Sequence, residues 1–508
     1  MFLRFITHLL CLSVSLPIAC AAVSLQAEQS IASLPTGAEG PAKAAMEAFQ
    51  TGRHFKAVEL AKPLAEKGNA EAQYLLGFAH ETGQGAEASK DKALEFYRKA
   101  AASKHRDAIF RLSFILLASE KQVERDQART QLEEAAKSDP AVAARILGEA
   151  YLRGRLTPTS DPDKAIFWWK RAADAGDVLS MSLIARFYEG QFGFPELRDV
   201  KTALDYYTKA AGMGNPAAMA ALGSRLLSGE EKFRDEEKGR DWLKKAIDGN
   251  EFVAYLALGD YEENVKKNLK AALNQYERGK DAGQVECMLR VADFYTQGKG
   301  VDKDVERGVS ILRKAAESGN PIASFRLATQ ALSEEKPNLL AGYGYLLAAA
   351  NGNLLEAQNE LALLYLSGKM GAADPTAGLA WLTRAAQGGF AQAQYNLAVL
   401  YDSGAGGVAR NIGNAGQLYT LAANQGHGPA TLALARLVNE GIGTKSEPTK
   451  AWAIATLAAE RGMKEAPKFA AEIADKFDSK QREEANKELQ NLKSNKPAEA
   501  VPATNSNN

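Results

Sequence analysis

Apolar residues recur at three- to four-residue spacing along most of the chain, which is the period of an amphipathic α-helix with one buried stripe. Residues 94–101 and 166–173 show the arrangement clearly, because aromatic, basic and paired alanine positions follow one another in the same order. Short junctions, most of them containing glycine, separate successive stretches. The pattern therefore predicts a series of short helices and an all-α fold.

The helical stretches repeat at a nearly constant interval. Between Gly68 and Gly462, the junctions divide the chain into eleven intervals of 33 to 38 residues, about 36 on average. Each interval contains two predicted helices, which we call helix A and helix B. A fixed period of this length is the sequence signature of a repeat architecture.

Helices A and B carry matching features. Helix A has a Gly or Ala after a branched apolar residue, as at Gly77 and Gly148, and helix B has a recurring aromatic residue, as at Tyr97 and Trp169. Glycine inside a helix costs about 1 kcal/mol relative to alanine. We therefore expect the small residue to let the neighbouring helix approach closely, so that packing offsets this cost.

The junctions predict tight turns. In Gly-Asn-Pro, as at 214–216 and 319–321, we expect glycine to adopt a left-handed conformation, asparagine to cap the next helix and proline to begin it. Glycine pairs between helices A and B, as at 298–300, predict a loop. Residues 404–409 also resemble a phosphate-binding motif, but they follow a helix and recur at the repeat period, which favours a turn.

Charge and the N-terminus restrict the function further. Lys+Arg and Asp+Glu each number 62, and this balance argues against binding to nucleic acid or to an anionic membrane.

Residues 1–21 combine one arginine, an apolar centre and a small-residue end, as secretory signals do. Lipidation of Cys20 is the alternative to plain cleavage, although Pro17 stands where a lipoprotein signal has a leucine-like residue. No later segment is apolar enough to span a bilayer, and we expect Cys287 to be a small buried residue.

The combined motif resembles the Sel1-like repeat, a relative of the tetratricopeptide repeat. Residues 285–320 and 391–427 carry it well, with the small residue, the aromatic residue, the glycine loop and the Ala-Ala pair all in place. The resemblance covers about 69–464. Three units lack the glycine loop and have the shorter tetratricopeptide length: 105–138, 250–283 and 320–352.

The resemblance implies an all-α, right-handed superhelical solenoid of about twelve helix pairs. Such an array needs a polar-faced terminal helix to cover its last apolar surface. The predicted domains are a signal peptide at 1–21, a linker at 22–41, a tetratricopeptide-like unit at 42–67, the Sel1-like array at 68–464, a capping helix at 465–493 and a disordered tail at 494–508.

Candidate catalytic and metal-binding residues are sparse. The histidines beyond the signal are far apart in sequence and form no metal-binding motif. Ser89-x-x-Lys92 and Ser333-x-x-Lys336 match the serine–lysine motif of penicillin-recognising enzymes, but the companion Lys-Thr-Gly is absent. We expect no catalytic residue, no cofactor and no metal site. These histidines are His54, His80, His105 and His427.

One segment has an unusual composition. Residues 321–440 contain six Lys/Arg and seven Asp/Glu, about half of the charge density of the whole chain, and they are rich in Asn and Gln. Charge depletion with aromatic and amide residues is common at interfaces, so we predict that the inner face of these units receives a partner segment. The alternative is compositional drift, with the tyrosines filling core positions. The candidate contact residues are Asn351, Gln358, Asn359, Gln392, Gln394, Asn396, Gln417 and Asn424.

The resemblance implies a non-catalytic, exported scaffold that binds proteins or peptides along its concave face. A bacterial periplasm or envelope surface is the expected location, and envelope assembly, secretion, signalling or host contact is the expected role. Two alternatives stay open. One is an enzyme, or the partner of an enzyme, acting on cell-wall or β-lactam-like substrates; the paired cysteines of such relatives are missing here. The other is a lipid-anchored support protein for polysaccharide export. Polysaccharide and peptidoglycan therefore remain alternative ligands.

Overall fold

The computed structural model describes residues 40–333, 337–369, 371–442 and 445–494. In these ranges the chain forms 26 α-helices, two short 3-10 helices and no strand, which confirms the predicted all-α fold. The predicted signal peptide, most of the predicted linker, Lys336 and the predicted tail from 495 onwards lie outside the described residues.

The helices divide into two compact units, one ending at Lys267 and the other beginning at Asn268. The helices of the first unit are α1 (Lys43–Gln50), α2 (His54–Glu66), α3 (Ala70–Thr82), α4 (Lys90–Ala102), α5 (Arg106–Leu117), α6 (Gln122–Ser138), α7 (Pro140–Leu152), α8 (Pro162–Asp174), α9 (Val178–Tyr188), α10 (Val200–Gly212), α11 (Pro216–Ser228), α12 (Glu236–Asp248) and α13 (Val253–Asn264).

The second unit continues the same alternation of A and B helices. Its helices are α14 (Leu269–Asp281), α15 (Val285–Gln297), α16 (Val305–Glu317), α17 (Pro321–Ser333), α18 (Leu339–Asn351), α19 (Leu355–Ser367), α20 (Pro375–Gln387), α21 (Ala391–Ser403), α22 (Ile412–Asn424), α23 (Gly428–Glu440), α24 (Pro448–Glu460), α25 (Ala466–Ala474) and α26 (Ser479–Ser494).

Within each unit, a helix packs chiefly against its neighbours in sequence, which is the arrangement of a solenoid. The closest association joins helix A to helix B of the same repeat, as between α7 and α8 or α17 and α18. The small residue of helix A allows this approach. A Cβ atom at Gly77 would lie 2.6 Å from Cδ1 of Tyr97, and the ring of Trp169 covers Gly148 in the same way. The predicted close packing is confirmed.

The predicted junction is confirmed at Gly214-Asn215-Pro216. Gly214 has a φ of +86°, the side-chain oxygen of Asn215 accepts the backbone N–H of Ala218 at 2.8 Å, and Pro216 begins α11. Gly319-Asn320 repeats this geometry, with a φ of +88° at the glycine and a cap bond of 2.9 Å to Ala323.

The turn differs at Gly249-Asn250 and Gly352-Asn353, where no proline follows the asparagine. There the asparagines adopt the left-handed conformation, with φ of +64° and +66°, and the next helix begins without a side-chain cap. Each glycine instead permits a close approach to a proline, because a Cβ atom at Gly249 would lie 2.9 Å from Cγ of Pro216. The glycine is needed for packing, so the turn falls one residue later.

The region predicted as one capping helix contains two helices, α25 and α26. The backbone N–H of Asp478 donates to the side-chain oxygen of Gln481 at 3.0 Å, and the N–H of Gln481 donates to the Asp478 carboxylate at 2.8 Å. This reciprocal pair is a capping box, which begins a new helix after α25.

Candidate functional site

The serine–lysine motif and the predicted buried cysteine have structural roles. Oγ of Ser89 accepts the N–H of Lys92 at 3.3 Å and caps α4, while Oγ of Ser333 donates to the carbonyl of Gln330 at 3.1 Å. Cys287 is fully buried. In the described part of the chain, no group of three or more His, Cys, Asp or Glu side chains is placed to hold a metal ion. None of the helices described there has the length and apolar character of a membrane span.

The eight candidate contact residues of the second unit fall into three groups. Those exposed on the B helices α18 and α22 are Asn351, Gln417 and Asn424. Those buried near the start of the A helices α19 and α21 are Gln358 and Gln394. Those connected by hydrogen bonds between A helices are Asn359, Gln392 and Asn396.

The buried glutamines hold repeats together. Nε2 of Gln358 donates to the carbonyl of Ala350 at 3.1 Å, and Nε2 of Gln394 donates to the carbonyl of Ala386 at the same distance. Gln73 makes the equivalent bond in the first unit. Because Gln358 and Gln394 are 1% and 4% exposed, a partner cannot reach them. Their assignment as contact residues is therefore corrected, and glutamate substitutions there would test folding rather than binding.

A chain of hydrogen bonds connects α19, α21 and α23. We call its members, Asn359, Gln392, Asn396 and His427, the amide ladder. Nε2 of His427 donates to Gln392 at 3.0 Å, Nε2 of Gln392 donates to Asn396 at 3.0 Å, and Nδ2 of Asn396 donates to Asn359 at 2.9 Å. Nδ2 of Asn359 then lies 3.3 Å from a carboxylate oxygen of Glu360. Because every bond points the same way, each one polarises the next.

Within the ladder, Asn359 differs from the two other amides in accessibility. Asn359 is only 2% exposed, so a partner cannot contact it directly, and its role is to support Asn396. Gln392 is exposed and Asn396 is partly exposed. An amide nitrogen carries two hydrogens and an amide oxygen accepts two bonds, and the ladder uses one of each at Gln392. Gln392 and Asn396 therefore retain capacity for a partner.

His427 takes part in the amide ladder, a role that the sequence analysis did not assign to it. Its Nδ1 accepts the N–H of Ala430 at 3.2 Å and caps α23, so the ring carries its hydrogen on Nε2, which faces Gln392. The ring packs on Tyr395 with centroids 4.9 Å apart. Burial lowers the pKa of His427 below its usual value, which favours the neutral ring that this geometry requires.

The first unit contains the same arrangement around His105. Nδ1 of His105 accepts the N–H of Ala108 at 3.2 Å, and its ring stacks on Tyr74 at 4.9 Å. The difference is the partner of Nε2, which is the carboxylate of Glu71 at 3.2 Å. The sequence signal for both sites was a histidine at the junction position, where Asn69, Asn215 and Asn320 cap other A helices.

Apolar side chains flank the ladder. Leu363 on α19 and Val399 on α21 are 38% and 36% exposed, and Ile322 on α17 is 42% exposed. Leu363 and Val399 follow Glu360 and Asn396 by three residues, so each pair lies on one side of its helix. We call this surface the A-helix face. Its residues are Ile322, Arg326, Glu356, Glu360, Leu363, Gln392, Asn396, Val399 and Arg436.

A model of the Sel1 repeat matches eight segments of the chain, which together cover more than half of it. All three shorter units that the sequence analysis distinguished, near 105–138, 250–283 and 320–352, lie between matched segments. The first and the third still form helix pairs, α5 with α6 and α17 with α18. The matched segments are 70–105, 141–177, 178–215, 216–251, 285–320, 355–390, 391–427 and 428–463.

Curated relatives match part of the chain. The chitin synthase regulator SKT5 of Saccharomyces cerevisiae is 26% identical over 269 residues, which are 50% of this chain and 38% of the relative. Chitin synthase regulatory factor 3 of Schizosaccharomyces pombe is 26% identical over 55% of this chain and 27% of the relative. An uncharacterised protein of Neisseria meningitidis serogroup B is 30% identical over 41% of this chain and 42% of the relative. The chain thus spans less than half the length of these relatives.

Two of the solved structures to which this chain is similar are bacterial proteins. The protective antigen c5321 of uropathogenic Escherichia coli strains, which displays an SLR fold, has a TM-score of 0.47 and 23% identity over 89% of this chain and 99% of that chain. A Sel1 repeat protein of Oxalobacter formigenes has a TM-score of 0.35 and 22% identity over 81% of this chain and 99% of that chain.

Proposed function

Because this chain belongs to the Sel1 repeat family, whose members are generally protein-interaction scaffolds, we propose that it binds an extended protein or peptide segment on the A-helix face of its second unit. The proposed role is non-catalytic. Two of the matched relatives are named as regulators of an enzyme, which supports a binding role for this chain as well.

The amide ladder carries this proposal. An extended polypeptide offers N–H and C=O groups at regular intervals, and most groups of this kind must find partners when water is excluded. Gln392 and Asn396 present amides on a face that also exposes Leu363 and Val399. Polar groups beside apolar side chains are the combination that protein interfaces use.

Export is a second part of the proposal. The composition of residues 1–21 supports cleavage near Ala21 and a periplasmic or secreted protein, with lipidation of Cys20 as the alternative. Mass spectrometry of the protein purified from its native host tests this directly. A mature chain beginning at residue 22 or 23 supports plain cleavage, an acylated Cys20 supports the anchored form, and an intact Met1 contradicts both.

The binding role is tested by a crosslinking pull-down from envelope extract, with the full chain lacking residues 1–21 as bait. The variant Gln392→Ala/Asn396→Ala should lose the crosslinked partner. The matched control is Gln387→Ala/Asn414→Ala, which removes two exposed amides from the B helices α20 and α22 of the same unit, outside the candidate contact residues, and should retain it.

Equal recovery with both variants would contradict binding on this face. If the folded bait recovers no protein, wall fragments and polysaccharides become the ligands to test. An envelope role such as assembly, secretion, signalling or host contact depends on which partner is identified.

A further inference from the structure

We propose that the segment bound on the A-helix face contains a lysine or arginine next to apolar side chains, and that Glu356 and Glu360 bind this cation. The inference rests on the proposed function, because it specifies the partner of the same face. It follows from the charges of four consecutive A helices, α17, α19, α21 and α23.

Glu356 and Glu360 are exposed and lie one helical turn apart on the same side of α19. Like charges at this spacing repel each other and destabilise the helix. Within the described ranges, neither carboxylate lies within 4.0 Å of a lysine, arginine or histidine nitrogen. The hydrogen bond from Asn359 to Glu360 comes from a neutral amide, so it leaves both charges uncompensated.

The arginines on the A helices at either end of this group form ion pairs with acidic residues other than Glu356 and Glu360. On α17, Nη1 of Arg326 lies 2.7 Å from the carboxylate of Asp293. On α23, Nη2 of Arg436 lies 2.9 Å from the carboxylate of Glu465. The ion pairs at these two flanking repeats therefore leave Glu356 and Glu360 as a negative patch between them.

Apolar side chains border this negative patch on three helices. Leu363 follows Glu360 by three residues on α19, while Ile322 and Val399 occupy positions on α17 and α21 that correspond to Glu356 and Leu363. All three are more than a third exposed. A segment with a basic residue beside apolar residues would satisfy the carboxylates and cover this surface together. An acidic segment would be repelled by the two carboxylates.

The test uses a random peptide library displayed on phage, selected on the full chain lacking residues 1–21. Peptides enriched by the wild-type chain should contain Lys or Arg next to Leu, Ile or Val. Their affinity should fall about tenfold for Glu356→Gln/Glu360→Gln, as expected for the loss of a charged hydrogen bond. Affinity should also fall as salt is raised, because the pair is exposed.

The matched control is Glu306→Gln/Glu317→Gln, which removes two exposed carboxylates from the B helix α16 of the same unit. This variant should bind the selected peptides as the wild type does. Equal weakening by both variants would show that net charge alone attracts the peptides, and it would overturn the inference.

Failure of the inference and failure of the proposed function give different results. Enriched peptides without basic residues, whose binding needs Gln392 and Asn396, would overturn the inference and leave the peptide-binding face in place. If the library yields no peptide that depends on Gln392 and Asn396, both the inference and the proposed face are wrong.

Discussion

At the residue scale, the recurring small position of helix A sets how closely a repeat packs. Gly77 and Gly148 lie against the aromatic rings of Tyr97 and Trp169, which are fully buried. A ring side chain fills the volume where any other residue would place its Cβ atom. Glycine is therefore required by packing at these positions, although it is unfavourable for the helix itself.

We expect Gly148→Ala to destabilise the first unit by about 1–3 kcal/mol, since the new methyl group overlaps a buried indole ring that cannot move freely. The control is Gly344→Ala in α18, where no atom lies within 4 Å of the added Cβ atom. That change should stabilise its helix by up to about 1 kcal/mol. Urea unfolding followed by circular dichroism measures both. Stabilisation by Gly148→Ala would show that the ring does not need the glycine.

At the scale of the element, the start of an A helix links local capping to contacts between repeats. Asn215 and Asn320 cap their helices and do no more in the described structure than satisfy a backbone N–H. His427 caps α23 through Nδ1 and reaches α21 through Nε2. A histidine at this position thus joins two repeats, and it makes the junction sensitive to protonation.

The stability of α23 should depend on pH through His427. The folded-state pKa lies below the usual value of 6.5, so the unfolded chain takes up a proton first as the pH falls. Stability is therefore complete above about pH 6.5 and decreases as the pH falls towards the folded-state pKa. Protonation would also place a hydrogen on Nδ1 and remove the cap.

His427→Asn should reduce this pH dependence, because asparagine keeps the cap and does not titrate in this range. Between about pH 7.5 and about pH 5.5, the melting temperature should fall less in the variant than in the wild type. Differential scanning calorimetry at both pH values gives the comparison. An equal fall in the two proteins would mean that His427 does not contribute to acid destabilisation.

At the scale of the whole molecule, each unit is held together by contacts between successive helices. The free energy of unfolding of such an array is approximately the sum of the intrinsic stability of each repeat and the energy of each interface between neighbouring repeats. The end of the second unit shows the consequence, because α25 and α26 pack against α24. Ile473 of α25 and Phe477 of the turn after it are buried in one cluster with Ala451 of α24. Without them, the apolar side of α24 would face water.

We expect a chain ending at Lys464 to show faster amide exchange in α23 and α24, while exchange in the first unit stays unchanged. The reason is the loss of one nearest-neighbour interface at a single end of the array. Hydrogen–deuterium exchange with mass spectrometry, compared with the full chain, measures the effect helix by helix. Uniformly faster exchange along the chain would show that the array unfolds as one cooperative body.

The periodic features of the fold could be predicted from the sequence because each depends on local spacing. A repeat of about 36 residues, small positions such as Gly77 opposite Tyr97, and the Gly214-Asn215 turn all follow from rules that act within one or two helices. The burial of Cys287 followed from the apolar residues beside it. At Gly249-Asn250, where no proline follows, the left-handed residue is Asn250 and Gly249 packs against Pro216, a contact between helices that the junction sequence does not show.

The sequence alone determined that this chain is a helical repeat array with an amide-rich, charge-poor segment in its second half. Which amides are available was decided by the tertiary structure. Gln358 and Gln394 turn inward to bind carbonyl oxygens of the preceding helix, whereas Gln392 and Asn396 face outward and join with His427. Composition does not distinguish these roles, because the direction of a side chain depends on its angular position on the helix and on the helix packed beside it.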